Sequence, residues 1–312
     1  MKKTIYAGTY TKNTSEGIYR FEYDDGLLLN PQLFAKVSNP KYLTKYEDKV
    51  IAVIDFEKGA GLALFDRNGK ILDTLNFESC TSCYVTVKDN IVYTANYHAG
   101  SFSKVEILSD TFRLIKTVTI KEKAGCHQIL LYKDLILVPC LFLDRIRIYN
   151  QNLEWVTDID FPQGSGPRHG IFSKDERYLY LVSELSNELF VIDMEQFKII
   201  HSISVLENNE KNTAGTAAIR MGTNEKHLYV STRGKDVISL IEFDGKRIKL
   251  IETINCGGKH PRDFIIINHH LLSANMETDN VTCFKIKKDG RIGDLISEIS
   301  IPEVIALISD SI

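Results

Sequence analysis

One short strand motif recurs at a nearly constant interval, and this constrains the chain more than any other feature. YLYLVSEL, beginning at Tyr178, has relatives beginning at Ile5 (IYAGTY), Val50 (VIAVID), Ile91 (IVYTANY), Leu135 (LILVPCL), His227 (HLYVSTRG) and Leu271 (LLSANME). The steps between the seven copies are 45, 41, 44, 43, 49 and 44 residues. Each copy is short, apolar and rich in β-branched and aromatic residues, as a strand requires. A second apolar run follows, as in GIYRFEYDDG, GLALFDRNG, ELFVIDMEQ and VISLIEFDG. Several of these runs close on Asp25-Gly26, Asn68-Gly69, Asp244-Gly245 or Asp289-Gly290, dipeptides that mark tight hairpins.

A third set of seven segments opens each hairpin. It includes Asn39-Pro40-Lys41-Tyr42, Ser82-Cys83-Tyr84, Gly125-Cys126-His127, Gly166-Pro167-Arg168-His169, Thr216-Ala217-Ala218, His260-Pro261-Arg262-Asp263 and Ile301-Pro302-Glu303. The openers are displaced from the hairpins by one place. The first hairpin has no opener before it, and the last opener has no hairpin after it. A β-repeat of roughly 40–50 residues, with four short strands in each, predicts a propeller. The predicted fold is therefore all-β: a seven-bladed β-propeller of four-stranded blades, one domain over residues 1–312. The ring is expected to close by the N- and C-terminal strands sharing one blade, which removes both open sheet edges. A pair of sandwiches or an open solenoid does not explain the complementary ends.

Composition narrows the function classes. The chain has 312 residues, 44% hydrophobic and 25% charged, with a net charge of −3. This speaks against a general nucleic-acid or anionic-membrane binder. No apolar run reaches the length of a membrane span. Met1 to Thr11 lacks the apolar core of a signal peptide, so a cytoplasmic location is expected. Six cysteines in 312 residues make no disulfide framework. Cys80 and Cys83 have CxxC spacing, but without a second pair they are expected to be reduced and metal-free.

In a ring of such hairpins, the ends of the seven second strands surround one mouth of the central channel. That position reads Tyr10, Asp55, Tyr97, Leu141, Glu184, Arg233 and Met276. The opener starts add Lys41, Cys83, His127, Arg168, Ala217, Arg262 and Glu303. With Lys174–Arg177 as the turn of one hairpin, 173 pairs with 178 and 168 with 183, which brings Arg168, His169 and Glu184 to one strand end. Plain strand ends carry Asn, Asp, Gly and Thr for turns; two arginines, a carboxylate and a histidine do not fit that role. Such a set can bind an anion and move a proton, or form a structural ion pair between blades. Candidate catalytic residues are His127, Arg168, Glu184 and Arg233. Candidate substrate-binding residues are Tyr10, Asp55, Tyr97, His169 and Arg262. The small loop Tyr97–Ser101 also reaches toward this mouth. His269 and His270 fall at the far end, in a strand turn, and are expected to be solvated. No metal-ligand cluster or phosphate-binding loop is visible, so no metal and no cofactor are expected.

At these residues the chain resembles the seven-bladed propeller lactonases, the family of bacterial 6-phosphogluconolactonases and fungal carboxymuconate cyclases. The pieces are Y-A-G-T-Y-T at 6, N-P-K-Y-L at 39, A-N-Y-H-A-G-S at 95, L-D-R-I-R-I-Y at 143, G-S-G-P-R-H at 164, S-E-L at 183, Y-V-S-T-R-G at 229 and G-G-K-H-P-R-D-F at 257. They span nearly the whole chain in order. The resemblance places the family's catalytic positions on His127, Arg168, Glu184 and Arg233. It departs at Cys140 and Phe142, where the family has Asp and Gly, at Ser183 and Thr232 for Asn, and at Tyr84, often His. It implies hydrolysis of a sugar δ-lactone, most directly 6-phosphogluconolactone. Lactone chemistry asks for a base to activate water and a cation for the oxyanion. Glu184 and His127 are both open as that base. The alternatives are a carboxymuconate-type lactone cyclase and a non-catalytic propeller that binds a partner over its faces. The expected partner is a small lactone, with no nucleic acid or membrane, and the expected assembly a monomer or weak homo-oligomer.

Overall fold

The computed structural model describes residues 2–207 and 215–310. It contains seven antiparallel sheets of four strands each. In chain order, blades 2 to 7 occupy 43–78, 84–119, 130–160, 167–204, 215–255 and 261–300. Blade 1 is assembled from both ends of the chain. Its strands run Val304–Ser309, Lys3–Thr9, Gly17–Asp24 and Leu27–Lys36. Ile5 pairs with Ser309 and Ala7 with Leu307, so the last strand is the innermost one, as the offset of the repeats predicts. Loops reinforce this closure. The Glu303 carboxylate accepts from the backbone N–H groups of Lys12, Asn13 and Ser15 at 3.1, 2.9 and 3.2 Å.

The burial of each strand follows from its place in a blade. Second strands such as Tyr178–Ser183 and Ile91–Asn96 are covered by neighbouring blades on both faces, so they are mostly apolar and almost wholly buried, with the polar Ser183, Thr94 and Asn96 buried as well. Outermost strands such as Thr111–Thr119 are mostly exposed. The core is divided among the blade interfaces. Ile51, Val53 and Leu62 of blade 2 meet Val85, Val92 and Val105 of blade 3. Between blades 3 and 4, Phe102 packs on Tyr149 with ring centroids 4.8 Å apart. Truncating such a buried aromatic to Ala costs about 3–5 kcal/mol.

Turn chemistry explains the hairpins. Asp25 and Gly26 both have positive φ, 45° and 95°, the pairing a two-residue turn demands. At the far end, His270 departs from the solvated position expected for it. It is buried, and its Nδ1 lies 2.7 Å from the Tyr23 hydroxyl of blade 1. His269 beside it is exposed. The difference arises because blade 1 packs against that turn.

Candidate functional site

The mouth is built around blade 5. The loop 164–166 enters its inner strand, Pro167–Phe172, through a left-handed turn at Gly166, φ 68°. A Cβ there would lie 2.7 Å from Leu185. The Asp144 carboxylate accepts from the backbone N–H groups of Gly164 and Gly166 at 2.8 and 2.9 Å. Gly166 in turn accepts from the Glu184 N–H at 2.8 Å. The G-S-G segment thus fixes the backbone from which Glu184 projects.

Pairing in this hairpin differs from the unbroken register. His169 pairs with Val182, but Pro167 pairs with Ser183, so Arg168 sits in a β-bulge. Bulges re-aim side chains beside functional sites. Here Arg168 turns toward blade 6, where its Nη1 donates to the Ala217 carbonyl. His169 turns the other way, toward His127 of blade 4. Blades 6 and 7 carry bulges at the matching places, between Thr216 and Ile219 and between Pro261 and Asp263.

Glu184 joins two blades. Arg168 Nε donates to its Oε2 at 2.7 Å, and Arg233 Nη2 reaches the same oxygen at 2.9 Å. Oε1 accepts no hydrogen bond among the described residues. Arg233 is also held by the Gly215 carbonyl, to which its Nε donates at 3.0 Å. Burial pushes the Glu184 carboxyl up, but Arg168, Arg233 and Arg262 outweigh it and hold it below the ordinary carboxylate range. Burial also pulls the Arg168 guanidinium down, to about 10, so it stays charged at neutral pH. His127 is 4% exposed. Burial, then Arg168 and Arg262, push it well below the ordinary histidine value, so it is neutral.

A cavity of about 240 Å³ opens at this mouth, and all seven blades reach it. Blades 4, 5, 6 and 7 give His127, Glu184, Arg233 and Arg262. Blades 1 and 2 give Tyr10 and Lys41, and blade 3 gives Thr81, Cys83, Tyr97 and His98. Arg262 lies over the Tyr10 ring, 5.3 Å from its centroid. Neither Arg262 nor Lys41 has an ion-pair partner among the described residues. The cavity therefore combines one clamped carboxylate, two imidazoles that burial shifts down, His127 and His98, and two cations with no carboxylate of their own among the described residues.

Three expected residues sit one layer behind the wall. Arg168, 1% exposed, is engaged by Glu184 and Ala217 and does not line the cavity. Asp55 does not line it either; it accepts from Asn39 Nδ2 at 2.6 Å and from the Thr81 hydroxyl, holding the loops of Lys41 and Thr81. His169 lies beneath His127, with its Nε2 3.1 Å from His127 Nδ1. Conversely, Lys41, Cys83 and His98 are lining residues that the candidate set omits, although the first two occupy opener starts. Thr81 also lines the cavity, from the loop between blades 2 and 3, and carries no sequence signal of its own. The Cys80 and Cys83 thiols are free. Burial pushes the Cys83 thiol up to about 11. Among the described residues, no group of three or more His, Cys, Asp or Glu is placed to hold a metal.

Comparison with known proteins decides the family. Residues 4–308 match the family described as lactonase, 7-bladed beta-propeller. This chain belongs to the seven-bladed β-propeller lactonase family. A relative from Bacillus subtilis named 6-phosphogluconolactonase is 28% identical, over 95% of each chain. The crystal structure of a Lactobacillus plantarum protein superposes on this lactonase-family propeller with a TM-score of 0.93, at 27% identity and over 99% of each chain. The periplasmic gluconolactonase of Pseudomonas aeruginosa shares the fold, with a TM-score of 0.90 over 99% of each chain at 21% identity. No helix among the described residues is long and apolar enough to cross a membrane.

Proposed function

We propose that this propeller hydrolyses a sugar δ-lactone, and that the lactone is 6-phosphogluconolactone, opened to 6-phosphogluconate. The observation that carries the reading is the convergence of Glu184, Arg233 and His127 on one small cavity whose other cations, Lys41 and Arg262, have no ion-pair partner among the described residues. The Bacillus relative's name supports the choice of substrate.

The chemistry follows from these positions. Arg233, tethered by Glu184 and Gly215, faces the lactone carbonyl oxygen and stabilises the charge that develops there. Arg262 and Lys41 hold the phosphate. Glu184 orients a water through its unengaged Oε1. As the water oxygen bonds to the carbonyl carbon, its proton passes to Nε2 of His127. The tetrahedral intermediate then collapses, the ring C–O bond breaks, and the same proton goes to the leaving ring oxygen. His127 returns to neutral and the product is the aldonic acid. Arg168 is a positioning residue, which keeps Glu184 ionised and fixed.

One chain supplies every group in the cavity, so a monomer suffices. A phosphorylated sugar does not cross membranes, and the same reading places the protein in the cytoplasm. The test is substrate discrimination. The protein should release acid from fresh δ-lactones and leave carboxymuconate and its lactone unchanged. Interconversion of the latter pair would favour the cyclase, and no turnover of either would favour a binding scaffold.

A further inference from the structure

His169 and His127 form a hydrogen-bonded imidazole pair that the steps above leave unexplained. His127 Nδ1 and His169 Nε2 are 3.1 Å apart, with the rings at 75° and their centroids 4.9 Å apart. The bulge at Arg168 turns His169 toward blade 4. The adjacent residues fix the spacing. The Gly170 N–H donates to Gln128 Oε1 at 2.7 Å, and Gln128 Nε2 donates back to the Gly170 carbonyl at 3.2 Å. The two strands are clamped one residue beyond the two rings, which leaves the imidazoles little freedom to part.

We propose that His169 is a positioning residue: it accepts the Nδ1 proton of His127 and so leaves His127 an unprotonated Nε2 facing the cavity. The proposal rests on the reading of His127 as the group that takes the proton from water. Only two proton arrangements are open to a neutral pair sharing one hydrogen bond. In one, His127 donates from Nδ1 and keeps a lone pair at Nε2. In the other, His169 donates from Nε2 and His127 carries its proton at Nε2, where it cannot act as a base.

The surroundings choose between them. Burial and the nearby guanidiniums keep both rings neutral. On its far side, His169 Nδ1 is buried and has no hydrogen-bond partner among the described residues. Tyr42 and Tyr84 meet that ring at steep angles, 87° and 72°, with centroids 6.4 and 5.8 Å away. Accepting from His127 puts the His169 proton on Nδ1 as a buried N–H with no acceptor among the described residues, a cost that the other arrangement avoids. Arg168 and Arg262 act on both rings, and Arg220 on His169; the weight that favours the proposed order is at the cavity end, where Arg233 acts on His127 as well. Positive charge favours a lone pair over an N–H dipole directed at it. His127 consequently turns Nε2 outward unprotonated and gives its Nδ1–H to His169. The tautomer of a histidine is set by the hydrogen bond its other nitrogen makes.

The experiment uses the full-length protein with 15N-labelled histidine at neutral pH. Ring-nitrogen NMR should show His127 protonated at Nδ1 and not at Nε2. His169→Phe keeps the ring volume and removes the acceptor. It should shift His127 toward the Nε2–H form and lower kcat at least about tenfold, with KM nearly unchanged. His169→Gln, which restores an acceptor, should recover the Nδ1–H form and most of the lost rate. An Nε2–H signal from His127 in the parent overturns the proposal. So does a His169→Phe protein with parental tautomer and rate, or a His169→Gln protein no better than His169→Phe. The parent spectrum alone decides the proton order if His169→Phe fails to fold. It is also read without substrate, so a protein inactive on every lactone would strike the proposed function and leave the pairing to be judged by the spectrum.

Discussion

Arg168 Nε lies 2.7 Å from Glu184 Oε2, and the arginine side chain is 2% exposed. Arg233 of the next blade shares the same oxygen. The ion pair is therefore both a structural bond between blades and the support of the cavity carboxylate. Removing one partner of a buried pair strands the other charge.

Glu184→Gln tests both roles at once. The variant keeps the shape but removes the charge that Arg168 and Arg233 share. It should lose about 3–5 kcal/mol of stability and at least about a hundredfold in lactone hydrolysis. Denaturant unfolding and initial rates, measured below the variant's melting temperature, separate the two. Parental values of both would remove Glu184 from the site.

Arg262→Ala should behave differently. Arg262 has no ion-pair partner among the described residues and rests on the Tyr10 ring. Its loss should leave the melting temperature nearly parental while raising KM for a phosphorylated lactone at least about tenfold. KM for the unphosphorylated lactone should change far less. Equal effects on both substrates would show that Arg262 does not hold the phosphate.

The pH dependence follows from the buried histidines. His127 and His169 are held neutral well below the ordinary value of 6.5. Unfolding frees them to bind protons below that pH, so their contribution is whole above about 6.5 and is lost as pH falls beneath it. His227 and His270 are shifted in the same direction and add to it. The melting temperature should fall from pH 7.5 to 5.5, by less in a His127→Gln, His169→Gln double variant. Since His127 is already neutral, the rate on an unphosphorylated lactone, which carries no phosphate to titrate at about 6, should show no inflection near 6.5. Such an inflection would mean that His127 is protonated in the folded protein.

Deleting residues from Pro302 onward should unfold or aggregate the protein. The deletion uncovers the Lys3–Thr9 edge, removes Val304 and Leu307 from an inter-blade core, and strips the loop at 12–15 of its Glu303 acceptor. A truncated chain that stays monomeric and melts at the parental temperature would contradict the closure.

The ring could be read from the sequence because every blade repeats one strand period and one kind of turn, and because the ends complete each other. The mouth was legible only in part: Tyr10, Tyr97, His127, Glu184, Arg233 and Arg262 reach the cavity, whereas Arg168, Asp55 and His169 lie behind its wall. The bulge at Arg168 was not legible. It adds one residue to an otherwise even strand pairing, and nothing in the P-R-H order marks it. An unbroken register sets Arg168 and His169 on alternate faces; the bulge sends one behind Glu184 and the other beneath His127. Asp55 sits at a strand end like its counterparts, but its short side chain is taken up by Asn39 and Thr81 before it can reach the cavity. Lys41, at an opener start, and His98, in the Tyr97–Ser101 loop, lie where the repeat points, but neither stands among the candidate residues.

The central claim is that this cavity opens a phosphorylated sugar lactone, and proton release measures it most directly. With freshly prepared 6-phosphoglucono-δ-lactone in weak buffer at neutral pH, each ring opening frees one proton as the carboxylic acid ionises. The parent protein should open the lactone far faster than it opens by itself, with a higher kcat/KM than for glucono-δ-lactone, and Arg233→Ala should lower that value at least about a hundredfold. Proton release no faster than the spontaneous reaction, or an unchanged rate in Arg233→Ala, would contradict the account.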